Sequence, residues 1–103
     1  MQIQINAPSI EGRDRLAAHV EAEVRDALSW LSDRITRVEV HLRDENADKG
    51  GADHKRCVME ARLRGRQPVV VTHHAATLEQ ATGGAADKLK ALVKSVVGRL
   101  RHR

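Results

Sequence analysis

Residues 77–103 read TLEQATGGAADKLKALVKSVVGRLRHR, with apolar side chains at Leu78, Ala81, Ala85, Leu89, Leu92, Val96 and Leu100. Steps of three and four place these on one stripe of a helix with about 3.6 residues per turn. Thr77 with Gln80 three positions later has the capping-box pattern that starts a helix. The cations Lys88, Lys90, Lys94, Arg99, Arg101 and Arg103 fall mostly off the stripe. At about 100° per residue, Lys90, Lys94 and Arg101 lie within roughly 40° of one another, while Lys88 and Arg99 flank the stripe on its other side. One helix thus buries one face and offers positive charge on the rest, a surface suited to phosphate. The plainer alternative is that basic residues near a helix C-terminus complement its dipole and solvate it. Gly83-Gly84 lies inside this helix, where each glycine costs about 1 kcal/mol relative to alanine. The expectation is a soft first turn; the alternative is a close approach of helix backbone to sheet or RNA.

Upstream, Gln2-Ile3-Gln4-Ile5 alternates polar and apolar and predicts a strand with one buried face, ended by Ala7-Pro8-Ser9. From Gly12 to Leu31 the spacing becomes helical, with Leu16, Val20, Val24, Ala27, Leu28 and Leu31 on one stripe. Arg15, Ala18, Ala22 and Arg25 lie opposite, and Trp30 is expected at the core edge. Residues 35–43 alternate again, Val38, Val40 and Leu42 against Arg37, Glu39, His41 and Arg43, as in a sheet with one solvated face. Lys55 to Arg64 repeats this, with Cys57, Met59, Ala61 and Leu63 inward. Gly65-Arg66-Gln67-Pro68 is a turn, and Val69-Val70-Val71-Thr72 a β-branched fourth strand.

The order is β-α-β-β-β-α. It predicts an α+β two-layer sandwich, a four-stranded sheet with two helices on one face. The first helix is a crossover between two parallel strands, expected to be right-handed. Strands two to four should form an antiparallel meander. The chain is read as a single domain, 1–103, since about a hundred residues suffice for one core and not two.

The composition is globular, 41% hydrophobic and 31% charged, with a net charge of +4. Residues 1–34 carry 4 basic against 6 acidic side chains, residues 35–66 carry 8 against 6, and residues 67–103 carry 6 against 2. The excess is therefore concentrated where the last helix is. No apolar run approaches the roughly 18 residues of a membrane span, no secretory signal is visible at the N-terminus, and Cys57 has no second cysteine to pair with. A cytoplasmic protein is expected. Trp30 is the only aromatic residue. Modules that read single-stranded nucleic acid stack bases on aromatic side chains. Binding here should instead use phosphates, sugars and shape.

Few motifs carry chemistry. Asp44-Glu45-Asn46-Ala47-Asp48-Lys49 begins like a calcium loop, but Lys49 stands where that loop needs glycine and Lys55 where it needs a bidentate glutamate. A polar hairpin bent at Gly50-Gly51 is the better reading. Asp53, His54 and Cys57 lack the paired spacing of a metal site, and strand alternation points Cys57 inward as an inert thiol. His73 and His74 face opposite ways on a strand and do not ligate one ion together. No nucleophile elbow, phosphate-cradling loop or zinc helix is present. No enzyme activity and no cofactor are expected.

Several stretches, in order along the whole chain, resemble the short ribosome hibernation factors. That is the family of the ribosome-associated inhibitor and the hibernation-promoting factor, also called sigma-54 modulation proteins. They are the opening strand with the helix ending Ala27-Leu28, then Asp33-Arg34-Ile35 leading to Val38-Glu39-Val40, and the late Ala81 and Ala85-Ala86-Asp87-Lys88-Leu89 run with its basic tail. The loop from Asp44 to Cys57 looks like a bacterial subgroup of that family. The resemblance implies a fold similar to double-stranded-RNA-binding domains. It implies a seat on the small ribosomal subunit, between head and body, overlapping messenger and transfer RNA at the decoding sites, and arrest of translation in stress or stationary phase. The expected partners are the small subunit and its rRNA, with no membrane and no small-molecule substrate. The cations of the last helix, Lys88, Lys90, Lys94, Arg99, Arg101 and Arg103, would contact rRNA, with Arg13, Arg15 and Arg25 as secondary contacts. Thr82-Gly83-Gly84 departs from the bulkier or charged helix formers usual in the family. The long-form dimerisation domain is not in the sequence, so ribosome pairing by that route is not expected. Two other readings remain: a structured-RNA-binding module off the ribosome, and a regulator working through protein partners.

Overall fold

A computed structural model describes residues 1–8, 10, 12–45 and 54–101, with only the backbone for residues 100 and 101. The elements are β1 (Gln2–Asn6), α1 (Arg13–Leu28) continued by a 3-10 turn (Ser29–Leu31), β2 (Ile35–Asp44), β3 (Lys55–Leu63), β4 (Val69–Ala75) and α2 (Leu78–Arg101). The sheet order is β1-β2-β3-β4. β1 pairs parallel with β2, Ile3 opposite Val38 and Ile5 opposite Val40, as a helical crossover requires. β2, β3 and β4 form the antiparallel meander.

The alternation read from the sequence fixes the inner face. Val38, Val40 and Leu42 of β2 and Cys57, Met59 and Ala61 of β3 are each 0% exposed. Both helices cover this face. α1 contributes Leu16, Val20, Val24 and Leu28; α2 contributes Ala81, Ala85, Leu89, Val93 and Val97. The first turns of the two helices lie side by side, Gly12, Arg15 and Leu16 next to Leu78 and Glu79. Because β1 and β4 run the same way, both helices start at one end of the sheet and finish at the other.

Several boundaries differ from the sequence reading. The α-helix of α1 stops at Leu28, and Ser29–Leu31 tightens into a 3-10 turn, a common way to finish a helix. Trp30 is not core edge: it is 53% exposed, and its indole N–H donates to the Ala27 carbonyl at 3.1 Å. β4 runs on through His73, His74 and Ala75. Thr77 sits just outside α2, where its hydroxyl accepts the Gln80 N–H at 3.0 Å. The buried line of α2 leaves the predicted stripe below Leu89. It follows Val93 and Val97, while Leu92 and Val96 are half-buried. Successive steps of four drift round a helix by about 40° each, so the contact line winds as α2 crosses the sheet. At the base of β2 a bulge inserts Thr36, whose hydroxyl donates to the Arg62 carbonyl at 3.1 Å.

The Gly83-Gly84 pair is not a soft turn; its two members have different environments. A Cβ on Gly83 would meet nothing within 4 Å. A Cβ on Gly84 would collide with the imidazole of His73, which points inward from β4, reaching 2.7 Å even from the ring's Cγ and closer still from Cδ2 and Nε2. Next to it Thr82 is wholly buried, its hydroxyl donating to the Leu78 carbonyl at 2.8 Å. Cys57 faces the same layer as a free, buried thiol. Burial pushes that thiol up to about 12, while a hydrogen bond with the Thr82 side chain acts the other way. The expectation of an unreactive thiol holds.

The two glycines should therefore respond with opposite signs in urea unfolding. Gly83→Ala is expected to stabilise the fold by about 1 kcal/mol through helix propensity. Gly84→Ala should destabilise it by about 1–3 kcal/mol through overpacking, and His73→Ala in the same chain should remove most of that loss. Cys57 gives a second test. Its folded-state pKa lies above the unfolded one, so its contribution to stability is intact below about pH 8.5 and is lost as pH rises from there toward 12. Above pH 9 the native chain should lose up to about 1.4 kcal/mol per pH unit more than Cys57→Ala. Urea midpoints of the two that run parallel across that range would contradict this.

Candidate nucleic-acid interface

The solvated face of the sheet carries many charges that largely cancel. Pairing puts Arg37 opposite Arg62, Glu39 opposite Glu60 and Arg43 opposite Arg56, like charges that would repel if left alone. Contacts along each strand and one diagonal contact between strands relieve them. Glu39 receives Arg37 at 3.0 Å and Arg62 at 3.2 Å, and Arg62 also reaches Glu60 at 3.8 Å. The Arg37 hydrogen bond, then the charges of Arg37 and Arg62, hold the Glu39 carboxyl below the usual carboxylate range against the opposing cost of burial. At the hairpin end, Glu45 takes His74 at 2.9 Å and Arg56 at 3.8 Å. Asp44 takes His54 at 2.7 Å and also Lys55. The calcium-loop reading and Asp53 lie outside the described residues beyond Glu45. Among the described residues, no group of three His, Cys, Asp or Glu side chains converges to hold a metal.

α2 behaves differently. Lys88, Lys90, Lys94 and Arg99 are exposed, and none forms an ion pair among the described residues. They span about 16 Å of helix axis. Lys88 reaches across to β4, its ammonium donating to the Thr72 carbonyl at 2.9 Å, which covers part of an edge strand with charge. Arg99 lies on the same flank of α2, beside the β3–β4 turn. Lys90 and Lys94 occupy the other flank. The side chain of Arg101 and all of Arg103 lie outside the described residues.

The secondary cations do not join this group. Arg13 and Arg15 stand at the start of α1, exposed, at the opposite end of the molecule from Arg99. Arg25 is bound by Glu21, one turn away, at 3.0 Å. The sequence reading passed over the arginines of the turns. Arg34, Arg64 and Arg66 cluster where β2 begins and β3 ends. The Arg64 N–H donates to the Arg34 carbonyl at 3.0 Å, and its Nε donates to the Asp33 carbonyl at 2.9 Å. Their mutual closeness comes from strand pairing, Ile35 opposite Leu63, which a linear reading of charge does not reveal.

No helix among the described residues is long and apolar enough to cross a membrane. The profile of the family described as Sigma 54 modulation protein / S30EA ribosomal protein matches residues 3–101. No curated protein matches the chain. Among solved structures, the Protein Y N-terminal domain of Thermus thermophilus is similar with a TM-score of 0.74 at 24% identity, covering 93% of this chain and 99% of that one. A ribosomal subunit interface protein from Coxiella burnetii superposes with a TM-score of 0.76 at 12% identity, covering 95% and 99%. At these identities the likeness establishes the fold.

Proposed function

We propose, because this chain belongs to the Sigma 54 modulation protein / S30EA ribosomal protein family, that it is a non-enzymatic ribosome-binding inhibitor of translation. It idles ribosomes in stress or stationary phase, acting in the bacterial cytoplasm. Its seat is the channel of the small subunit between head and body, where it displaces messenger and transfer RNA from the decoding sites. It holds there through rRNA phosphates.

One observation carries the contact surface. Lys88, Lys90, Lys94 and Arg99 of α2 are exposed and free of carboxylate partners among the described residues, whereas the cations of the sheet face are largely matched by Glu39, Glu45 and Glu60. Lys90, Lys94, Arg99, Arg101 and Arg103 are the principal phosphate contacts. Lys88 contributes while tethered to β4. Arg13 and Arg15 serve a second, smaller contact, and Arg25 must exchange Glu21 for a phosphate to take part. With a single aromatic residue, attraction to the backbone rather than stacking supplies the affinity.

Cosedimentation with small subunits across a salt series tests this. Each phosphate neutralised should contribute about −0.7 to −0.9 to the slope of log affinity against log salt. Replacing Lys90, Lys94 and Arg101 together by glutamate should lower that slope by about 2 to 3 and abolish pelleting at physiological salt. Native chain that stays in the supernatant at low salt would overturn the ribosomal reading, and equal affinity for any RNA duplex would favour a general structured-RNA module instead.

A further inference from the structure

A second cationic feature lies at the far end of the sheet. The β3–β4 turn and the last turns of α2 enclose a shallow cleft of about 800 Å³. Its walls are Arg66, Pro68 and Val69 on one side and Val96 and Arg99 on the other. The turn is well defined: Gly65 takes a positive φ of 67°, the Arg66 N–H donates to the Leu63 carbonyl at 3.2 Å, and Pro68 has a fixed φ. Arg66 is therefore displayed from a hydrogen-bonded turn next to Pro68.

The charge balance at this end is one-sided. Neither Arg66 nor Arg99 has an ion-pair partner among the described residues. Arg64 stands two residues before Arg66 and donates to the carbonyls of Arg34 and Asp33, and Asp33 is the one acidic residue in turn 32–34. The C-terminus of α2 brings about half a negative charge, which two arginines outweigh. Guanidinium groups suit phosphate oxygens, which they meet with paired donors. The half-buried Val69 and Val96 add an apolar lining to the same cleft, a surface against which a ribose can pack. An acidic protein segment would meet the same charge but would not need that patch.

We propose that this cleft seats the sugar-phosphate backbone of an RNA strand, with Arg66 and Arg99 on its phosphates and Val69 and Val96 against a ribose. The assignment rests on the ribosomal reading above and extends it: α2 grips rRNA with its helix surface, and the β3–β4 turn closes on a further strand at the end of the molecule. Arg66 belongs to the turn and not to α2, so it separates the two contacts.

Small-subunit binding of the native chain, Arg66→Glu and Arg66→Lys, each across a salt series, tests the cleft. Arg66→Glu is expected to weaken binding about five- to tenfold or more at 0.1 M salt and to lower the salt slope by about 0.7–0.9. Arg66→Lys should recover most of the slope, since the charge is kept. Native chain that binds, with Arg66→Glu of unchanged affinity and slope, overturns the cleft and leaves the ribosomal reading standing. Native chain that does not bind overturns both. A loss of salt slope in Arg66→Glu that Arg66→Lys does not recover also counts against phosphate contact, since the retained charge should restore the slope even where the paired donors are lost.

Discussion

Between β4 and the first turns of α2 there is room for a hydrogen atom at position 84 and for no carbon. The His73 ring occupies the place where a side chain would begin. The residues around it are small: Ala81, Thr82, Ala85 and Ala86 are all buried. This narrow contact lets the helix axis lie close to the sheet at its start. Farther along, Leu89, Val93 and Val97 fill a space that widens. With the helix seated there, Lys88 reaches the Thr72 carbonyl and Arg99 faces the β3–β4 turn.

Positive charge is not in short supply anywhere in this chain, so its count says little about where a polyanion would settle. What differs from place to place is whether a carboxylate is within reach. On the solvated sheet face, period-two alternation puts arginine and glutamate into adjacent rows, and Glu39 alone serves two arginines. A polyanion moving onto that face would have to compete with these carboxylates for the arginines. On α2, only Glu79 and Asp87 are acidic, and among the described residues neither is paired to the cations beyond them. The available charge thus runs down one helix to the arginines at its end, although the sequence distributes arginine through the whole chain.

The fold was legible because its signals were periodic. Alternation in 35–43 and 55–64 and steps of three and four in both helices each identify a buried face from local spacing alone. What escaped was set by contacts between elements. Nothing local distinguishes Gly83 from Gly84; the distinction is a histidine from β4. The stripe of α2 bends toward Val93 and Val97 because the helix must follow a twisted sheet. Trp30 follows the apolar stripe of the first helix, but the chain tightens after Leu28 and the ring is exposed. For the candidate site, the helix cations were found by helical spacing. The salt-bridged state of Arg25 at i+4 from Glu21 was equally accessible to that reasoning. Arg34, Arg64 and Arg66 were not, since only the register of β2 against β3 and the end of α2 bring them together.

A surface of this kind has consequences for how specificity can arise. Phosphates are alike, so a protein that touches mainly phosphates distinguishes its target by the spacing of its cations. Flexible lysines on a mobile support would match many RNA shapes about equally well. Here the cations are borne on a helix held by a close sheet contact, on a turn next to Pro68 whose φ is fixed, and in one case held by a hydrogen bond to an edge strand. Under the proposed reading, rigidity would substitute for base reading. A packing residue such as Gly84 would then bear on recognition without touching a ligand, because a shift of the helix axis would move the α2 cations together.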